Sequence, residues 1–153
     1  MATDPPVHRT ETLTTPAGDQ ADIDTEMVPV IRALWGLGLT TTACCQDVGE
    51  AVAGIRAQRE TPLGYGGDGF IAYHHGYALL KLPVPEAQRL VEMLAGTEAF
   101  GEWMRHPWRP GSWRMHIPLT AEGSAPEALL HFSRSQIALL TDVLRGAIRV
   151  SHR

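Results

Sequence analysis

Apolar positions along the chain fall into short blocks whose spacing alternates between helical and extended. Met27, Ile31, Leu34, Trp35 and Leu37 recur at steps of one helical face, with Asp24 or Thr25 as N-cap, Pro29 in the tolerated first turn and Gly36 and Gly38 as the stop. Residues 39–45 are short and β-branched, which predicts a strand with Thr41, Ala43 and Cys45 on one face and Thr42 and Cys44 on the other. Asp47-x-x-Glu50 then opens a helix carrying Val48, Val52 and Ile55, and the glycine-dominated stretch 61–69 reads as a loop. Residues 70–73 and 77–82 predict two strands joined at His74-His75-Gly76, followed by a helix from Pro85 to the residue before Gly96. Thr97 caps a short helix with Phe100, Trp103 and Met104. Trp113, Met115, Ile117 and Leu119 alternate as in a strand, residues 129–132 form another, and Ser133-x-x-Gln136 is a capping box for a last helix through Ile137, Leu140 and Leu144.

Residues 1–23 hold only isolated apolar positions among Thr, Pro, Ala and Asp, so they are expected to be an extended tail ahead of one domain spanning 24–150. Inside that domain, Tyr77 to Gly96 laid on Glu127 to Gly146 matches Ala78 with Ala128, Leu79 with Leu129, Leu80 with Leu130, Leu90 with Leu140 and Leu94 with Leu144. Two β-β-α units related by internal duplication would explain the match; so would a chance likeness between strand–helix segments rich in Ala and Leu. Either way the expected class is α+β, an antiparallel or mixed sheet with helices on one face.

Composition narrows the function classes. At 153 residues, with 44% hydrophobic and 20% charged residues, the chain has the profile of an ordinary globular domain and not of a disordered or membrane protein. Its net charge of -4 argues against nucleic-acid binding by the surface as a whole. Cys44 and Cys45 are adjacent, a spacing that strains a disulfide, so both are expected as reduced thiols. With no basic-then-apolar leader and no apolar run near the ~20 residues of a membrane span, a cytoplasmic location without membrane partners is expected. A single lysine, Lys81, among many arginines suggests a GC-rich bacterial origin.

Cys44-Cys45-Gln46-Asp47 is the leading site candidate, because a strand is expected to end there and a helix to begin. Free backbone N–H groups and the helix dipole at such a junction favour a thiolate or a bound anion, making Cys45 and Cys44 candidate nucleophiles and Gln46 and Asp47 candidate ligand contacts. Small thiols filling the core are the competing reading. His74 and His75 are candidate partners for the cysteines; the histidine and cysteine spacings match no zinc motif, so no metal site is expected. Trp103, Trp108 and Trp113 interleave with Arg105, Arg109 and Arg114 in a stretch without acidic residues. Arg105, Trp108 and Arg109 can hold an anionic ligand or stack a base, or the tryptophans simply roof the core.

The stretch Asp24-x-x-Met27-x-x-x-Ile31-x-x-Leu34-Trp35-x-x-Gly38-x-x-Thr41-x-x-Cys44-Cys45-Gln46 resembles the opening of a group of small α/β proteins. In these, a helix ending in a Leu-Asn-x-x-Gly-like turn feeds a Thr-x-x-Ser-Cys-x-Gly strand exit; the group includes the wybutosine-synthesis methyltransferase family and uncharacterised phage and bacterial proteins. Where that family continues Ser-Cys-Ser-Gly-Arg, only Cys45 corresponds here, so methyl transfer to tRNA is not implied. The leading expectation is a domain that binds an anionic or polar small molecule at Cys44 to Asp47, with thiol chemistry in reach. The alternatives are a non-catalytic homodimer or interaction module using the 103–113 loop, and an RNA-binding accessory to nucleic-acid modification, the less favoured on charge. No cofactor is indicated.

Overall fold

The computed structural model describes residues 7–58 and 67–152. A hairpin comes first, β1 (Thr10–Thr14) with β2 (Gln20–Asp24), and a 3-10 turn (Thr25–Met27) then leads into α1 (Val28–Gly36). Next are β3 (Ala43–Cys45), α2 (Val48–Gln58), α3 (Asp68–His74), β4 (Tyr77–Pro83), α4 (Val84–Ala95) and α5 (Glu98–Arg105). The chain ends with β5 (Arg114–His116), the short pair β6 (Leu119–Thr120) and β7 (Gly123–Ser124), β8 (Glu127–Ser133), a 3-10 turn (Arg134–Gln136) and α6 (Ile137–Ser151). The class is α+β, with all strand pairs antiparallel and the main sheet ordered β3-β4-β8-β5.

The period of two in the central strands divides the sheet into two faces. Ala78, Leu80 and Leu82 of β4 and Ala128, Leu130 and Phe132 of β8 are fully buried, and they share one core with Ile31 and Leu34 of α1, Leu90 and Leu94 of α4, and Leu140 and Leu144 of α6. The intervening residues lie on the other face. There α3 brings the ring of His74 against His131, so the α2–α3 pair covers one part of that face.

Hydrogen-bond register exposes an approximate two-fold symmetry. Leu80 pairs with Leu130 at the centre of the β4–β8 ladder, and the ladder extends equally to Tyr77–Ser133 and Pro83–Glu127. A two-fold axis through that pair exchanges β4-α4 with β8-α6. It also carries β3 onto β5, because Cys45 opposes Leu79 as His116 opposes Leu129, and Ala43 opposes Lys81 as Arg114 opposes His131. Helix packing obeys the same operation: α1 lies on α6, and α4 on α5. The match between 77–96 and 127–146 is therefore carried by equivalent places in the fold, each half contributing helix, edge strand, central strand and helix.

Several expectations are corrected. In place of an extended tail over 1–23, residues 10–24 form the β1–β2 hairpin, which buries Leu13 and Ile23 in the core. One large apolar side chain per strand, with Ala21 packed beside them, is enough because polar cross-strand bonds, Thr12 to Asp22 at 2.7 Å and Gln20 to Thr14 at 3.0 Å, and a turn closed by Thr15 and Asp19 set the pairing. Residues 70–73 belong to helix α3 and not to a strand. Gly49 of α2 permits this helix to pack close, since a Cβ there would meet the His75 backbone and the Ile71 carbonyl at 2.6 Å. The expected strand 39–45 shortens to β3, and the alternation from Trp113 to Leu119 breaks after His116, leaving Leu119 exposed. No capping box forms at Ser133: Gln136 instead accepts from Trp113 Nε1 at 2.8 Å and donates to the Gly111 carbonyl at 2.7 Å. The loop expected over 61–69 lies mostly outside the described residues; its last part, from Asp68, begins α3.

Leu80→Ala and Leu130→Ala should each lower unfolding free energy by about 2–5 kcal/mol in denaturant titrations, as buried leucines do. Because the two sit opposite each other, the double variant should depart from additivity by about 0.5 kcal/mol or more. A loss below about 1 kcal/mol at either would contradict their shared place at the centre of the core.

Candidate functional site

The two cysteines end β3 on opposite faces. Cys44 packs against the main core, while Cys45 lies 3.8 Å from Nδ1 of His8. Burial pushes both thiols up to about 12; at Cys45 a backbone hydrogen bond from Asp47 works in the other direction, and the Asp24 carboxylate adds to the upward shift of each. The help expected from the start of α2 is thus present and outweighed. At neutral pH both side chains are protonated thiols, which reverses the expectation of an activated nucleophile.

Gln46 and Asp47 are buried and engaged internally. The Gln46 N–H donates to Asp24 Oδ2 at 2.9 Å, and its Oε1 accepts from the Glu26 N–H at 3.2 Å. Asp47 Oδ1 accepts from the Glu50 N–H at 3.0 Å and so caps α2, and the carboxylate also takes the Gly76 N–H at 3.1 Å. Arg134 closes this junction with two bonds to Glu26 at 2.6 and 2.7 Å, one to Glu50 at 3.1 Å and a longer one to Asp47 at 3.5 Å. The fork of bonds raises the Arg134 pKa and lowers that of Glu26. Gln46 and Asp47 therefore join β3, α2, the turn before β4 and the end of β8.

His74 and His75 do not meet the cysteines. His74 closes α3, buried, with its ring 4.6 Å from His131 and 4.4 Å from Phe70, while His75 is exposed. The imidazole beside Cys45 is His8, from the segment read as a tail. Burial, with Arg114 and His116 nearby, lowers the pKa of His74; burial, His74, His116 and Arg114 hold His131 down at about 3.

The tryptophan–arginine stretch divides by role. Trp103 and Trp113 pack on the core, Trp113 stacking on Phe132 at 4.7 Å, and Arg105 is held by Glu102 at 3.7 Å. Trp108 stands 87% exposed with φ of 72°, a left-handed backbone that is costly for a bulky residue and is often found at binding sites. It borders a cleft of about 340 Å³ that is also lined by Tyr73, Arg109, Arg114, Met115 and His116. The Arg114 guanidinium lies 3.8 Å from the rings of both Tyr73 and Tyr77 and donates to the Tyr73 carbonyl at 2.8 Å, so it is fixed before any ligand arrives. Arg109 has no ion-pair partner among the described residues, and no carboxylate among them lines the cleft. Arg114 and His116 were not among the expected site residues; the basic run around the tryptophans was the signal that contained Arg114.

No family model, curated protein or solved structure matches this chain.

Iodoacetamide should label Cys44 and Cys45 in the folded protein at neutral pH more slowly than a free cysteine of pKa about 8.5, and at the free-thiol rate after denaturation. Fast labelling of either in the native state would contradict the buried, protonated thiols. A second expectation concerns His131, neutral in the folded chain, whereas in the unfolded chain it gains a proton below its ordinary 6.5. The unfolded state then binds more protons, so stability present above 6.5 is lost as the pH falls toward 3. The loss should approach about 1.4 kcal/mol per pH unit and appear as the difference between the curves of the unaltered chain and His131→Leu, measured by urea unfolding across that range.

Proposed function

We propose that this protein binds a small organic anion, a carboxylate or phosphate ester with an apolar or aromatic body, in the cleft between Trp108 and β5. One observation supports the reading above all: two guanidinium groups and His116 converge on one concavity that no carboxylate among the described residues lines, in a chain whose net charge is -4. Arg114, held between two tyrosine rings, supplies a fixed positive charge at little further entropic cost, and Arg109 can fold over the ligand. Trp108, Tyr73 and Met115 offer apolar surface for the body of the molecule. The volume is near the lower end for small-molecule pockets, which suits a ligand the size of a single aromatic acid. The anion-binding character foreseen at the cysteine junction is thus proposed for the opposite edge of the sheet.

A second reading is favoured by the exposed side chains of Trp108, Met115 and Leu119 beside β5, which forms one edge of the sheet. Two copies joined along that edge would cover these residues and extend the ladder, giving a homodimer. No helix among the described residues is long and apolar enough to cross a membrane.

Phenyl phosphate and indole-3-acetate serve as probes. Saturable quenching of tryptophan fluorescence by at least one is expected, with Arg109→Ala weakening it by about tenfold or more, since a charge-assisted bond contributes about 1.5–3 kcal/mol. Absence of saturable binding by either, together with a sedimentation shift to monomer in Trp108→Ala, would replace this reading with the dimer.

A further inference from the structure

His8 enters the fold in an unusual way. Gly54 of α2 admits the Val7 side chain, whose methyl carbons lie 2.7 and 2.8 Å from where a Cβ would stand, and this close approach seats the next residue between β2, β3 and α2. The His8 side chain is only 4% exposed. Its Nδ1 lies 3.0 Å from Asp24 Oδ2 and 3.8 Å from Cys45 Sγ. Its Nε2 points the other way, buried, 3.3 Å from Glu50 Oε1 but without the alignment of a hydrogen bond. Both acceptor-rich partners on the first side meet the same ring nitrogen, so Asp24 cannot relay a proton through the imidazole to the thiol, as a Cys-His-Asp triad requires.

We propose that His8 Nδ1, Asp24 Oδ2 and Cys45 Sγ form a site for a divalent transition-metal ion of the zinc type. The three atoms lie within 4.8 Å of one another. Ligands at the usual metal distances of about 2.0–2.3 Å stand about 3.3–3.7 Å apart in a tetrahedron, so the two separations from His8 Nδ1, 3.0 and 3.8 Å, need to change by only a few tenths of an ångström, and the Asp24–Cys45 separation, which lies within 4.8 Å, by at most about 1.3 Å. One nitrogen, one carboxylate oxygen and one sulfur form a donor set that suits Zn²⁺ and is wrong for Mg²⁺ or Ca²⁺, which take oxygen. Glu50 stands where the second carboxylate of a carboxylate–histidine–metal arrangement belongs: it faces the ring nitrogen that the metal leaves free and is itself held by Arg134 at 3.1 Å. Metal entry replaces the thiol proton with a metal–sulfur bond and releases that proton to solvent. Three protein ligands leave one coordination position for water or a bound molecule. Because the ligands come from three separate segments, no spacing motif marks them.

The test uses the full chain stripped by a chelator and titrated with Co²⁺, whose thiolate complexes absorb in the near ultraviolet, and with Zn²⁺ in competition. One equivalent of Co²⁺ should give the thiolate-to-metal band, displaced by Zn²⁺. Cys44→Ser should keep the band and Cys45→Ser lose it. Glu50→Gln should still bind, with affinity lower by about 10–100-fold, the usual cost of losing the outer carboxylate. Proton release on Zn²⁺ binding to the unaltered chain, read with an indicator dye, gives a measure that does not depend on any variant folding. A wild-type chain with no thiolate band, a band that survives Cys45→Ser, or Zn²⁺ uptake without proton release would each overturn the proposal.

Discussion

Everything in this fold is positioned from the β4–β8 ladder and its central pair, Leu80 opposite Leu130. Two strands of seven residues, each apolar at alternate positions, bury one face against four helices, and the register that achieves this for one strand fixes it for the other. A slip by one residue would bring Lys81 and His131 into the leucine core. The same register places β3 and β5 at equivalent depths on the two edges, so the positions of Cys45 and His116 follow from a constraint that neither residue participates in.

The central strands and the long helices were legible in the sequence because their apolar periodicity is reinforced by terminal signals such as Thr97, whose hydroxyl accepts from the Phe100 N–H at 3.1 Å. Asp47 was legible as a helix start for the same reason. The β1–β2 hairpin was not: Leu13 and Ile23 are the single large apolar residues of polar strands, and only the closed core shows that they are enough. Residues 68–74 misled because Phe70, Ile71, Ala72 and Tyr73 suit a strand as well as a short helix, and packing through Gly49 decides between them. Site residues were legible in proportion to how local their partners are. Trp108 and Arg109 lie in one loop and were named; His8 meets Cys45 across 37 positions of sequence, and Arg134 meets Glu26 across 108, so neither pairing leaves a local trace.

Buried and half-buried polar groups at the Cys45 edge, His8 Nε2 excepted, are linked in a chain of dependencies. Asp24 holds Gln46 and His8, Gln46 holds Glu26, and Arg134 joins Glu26 to Glu50 and Asp47. Removing one member leaves several others unpaired, which is why Arg134, only partly buried itself, matters to the positions of β3, α2 and β8 together.

The two-fold relation also explains why the two candidate sites lie at equivalent places on the two edges, while the residues around them differ in charge. Cys45 and His116 occupy the same place on the two edge strands, as do Ala43 and Arg114. Beside Cys45 and His8 stand the carboxylates of Asp24 and Glu50, which favour a cation; beside His116 the cleft is lined by Arg114 and Arg109, which favour an anion. His8 and His131 are both nearly inaccessible, yet one stands between carboxylates and the other beside a guanidinium. A symmetric sheet with symmetric edges would present the same potential twice. The residues that flank the two edges differ in sign, so the cation site proposed at β3 and the anion site proposed at β5 lie at equivalent edges of one ladder, separated by the two central strands.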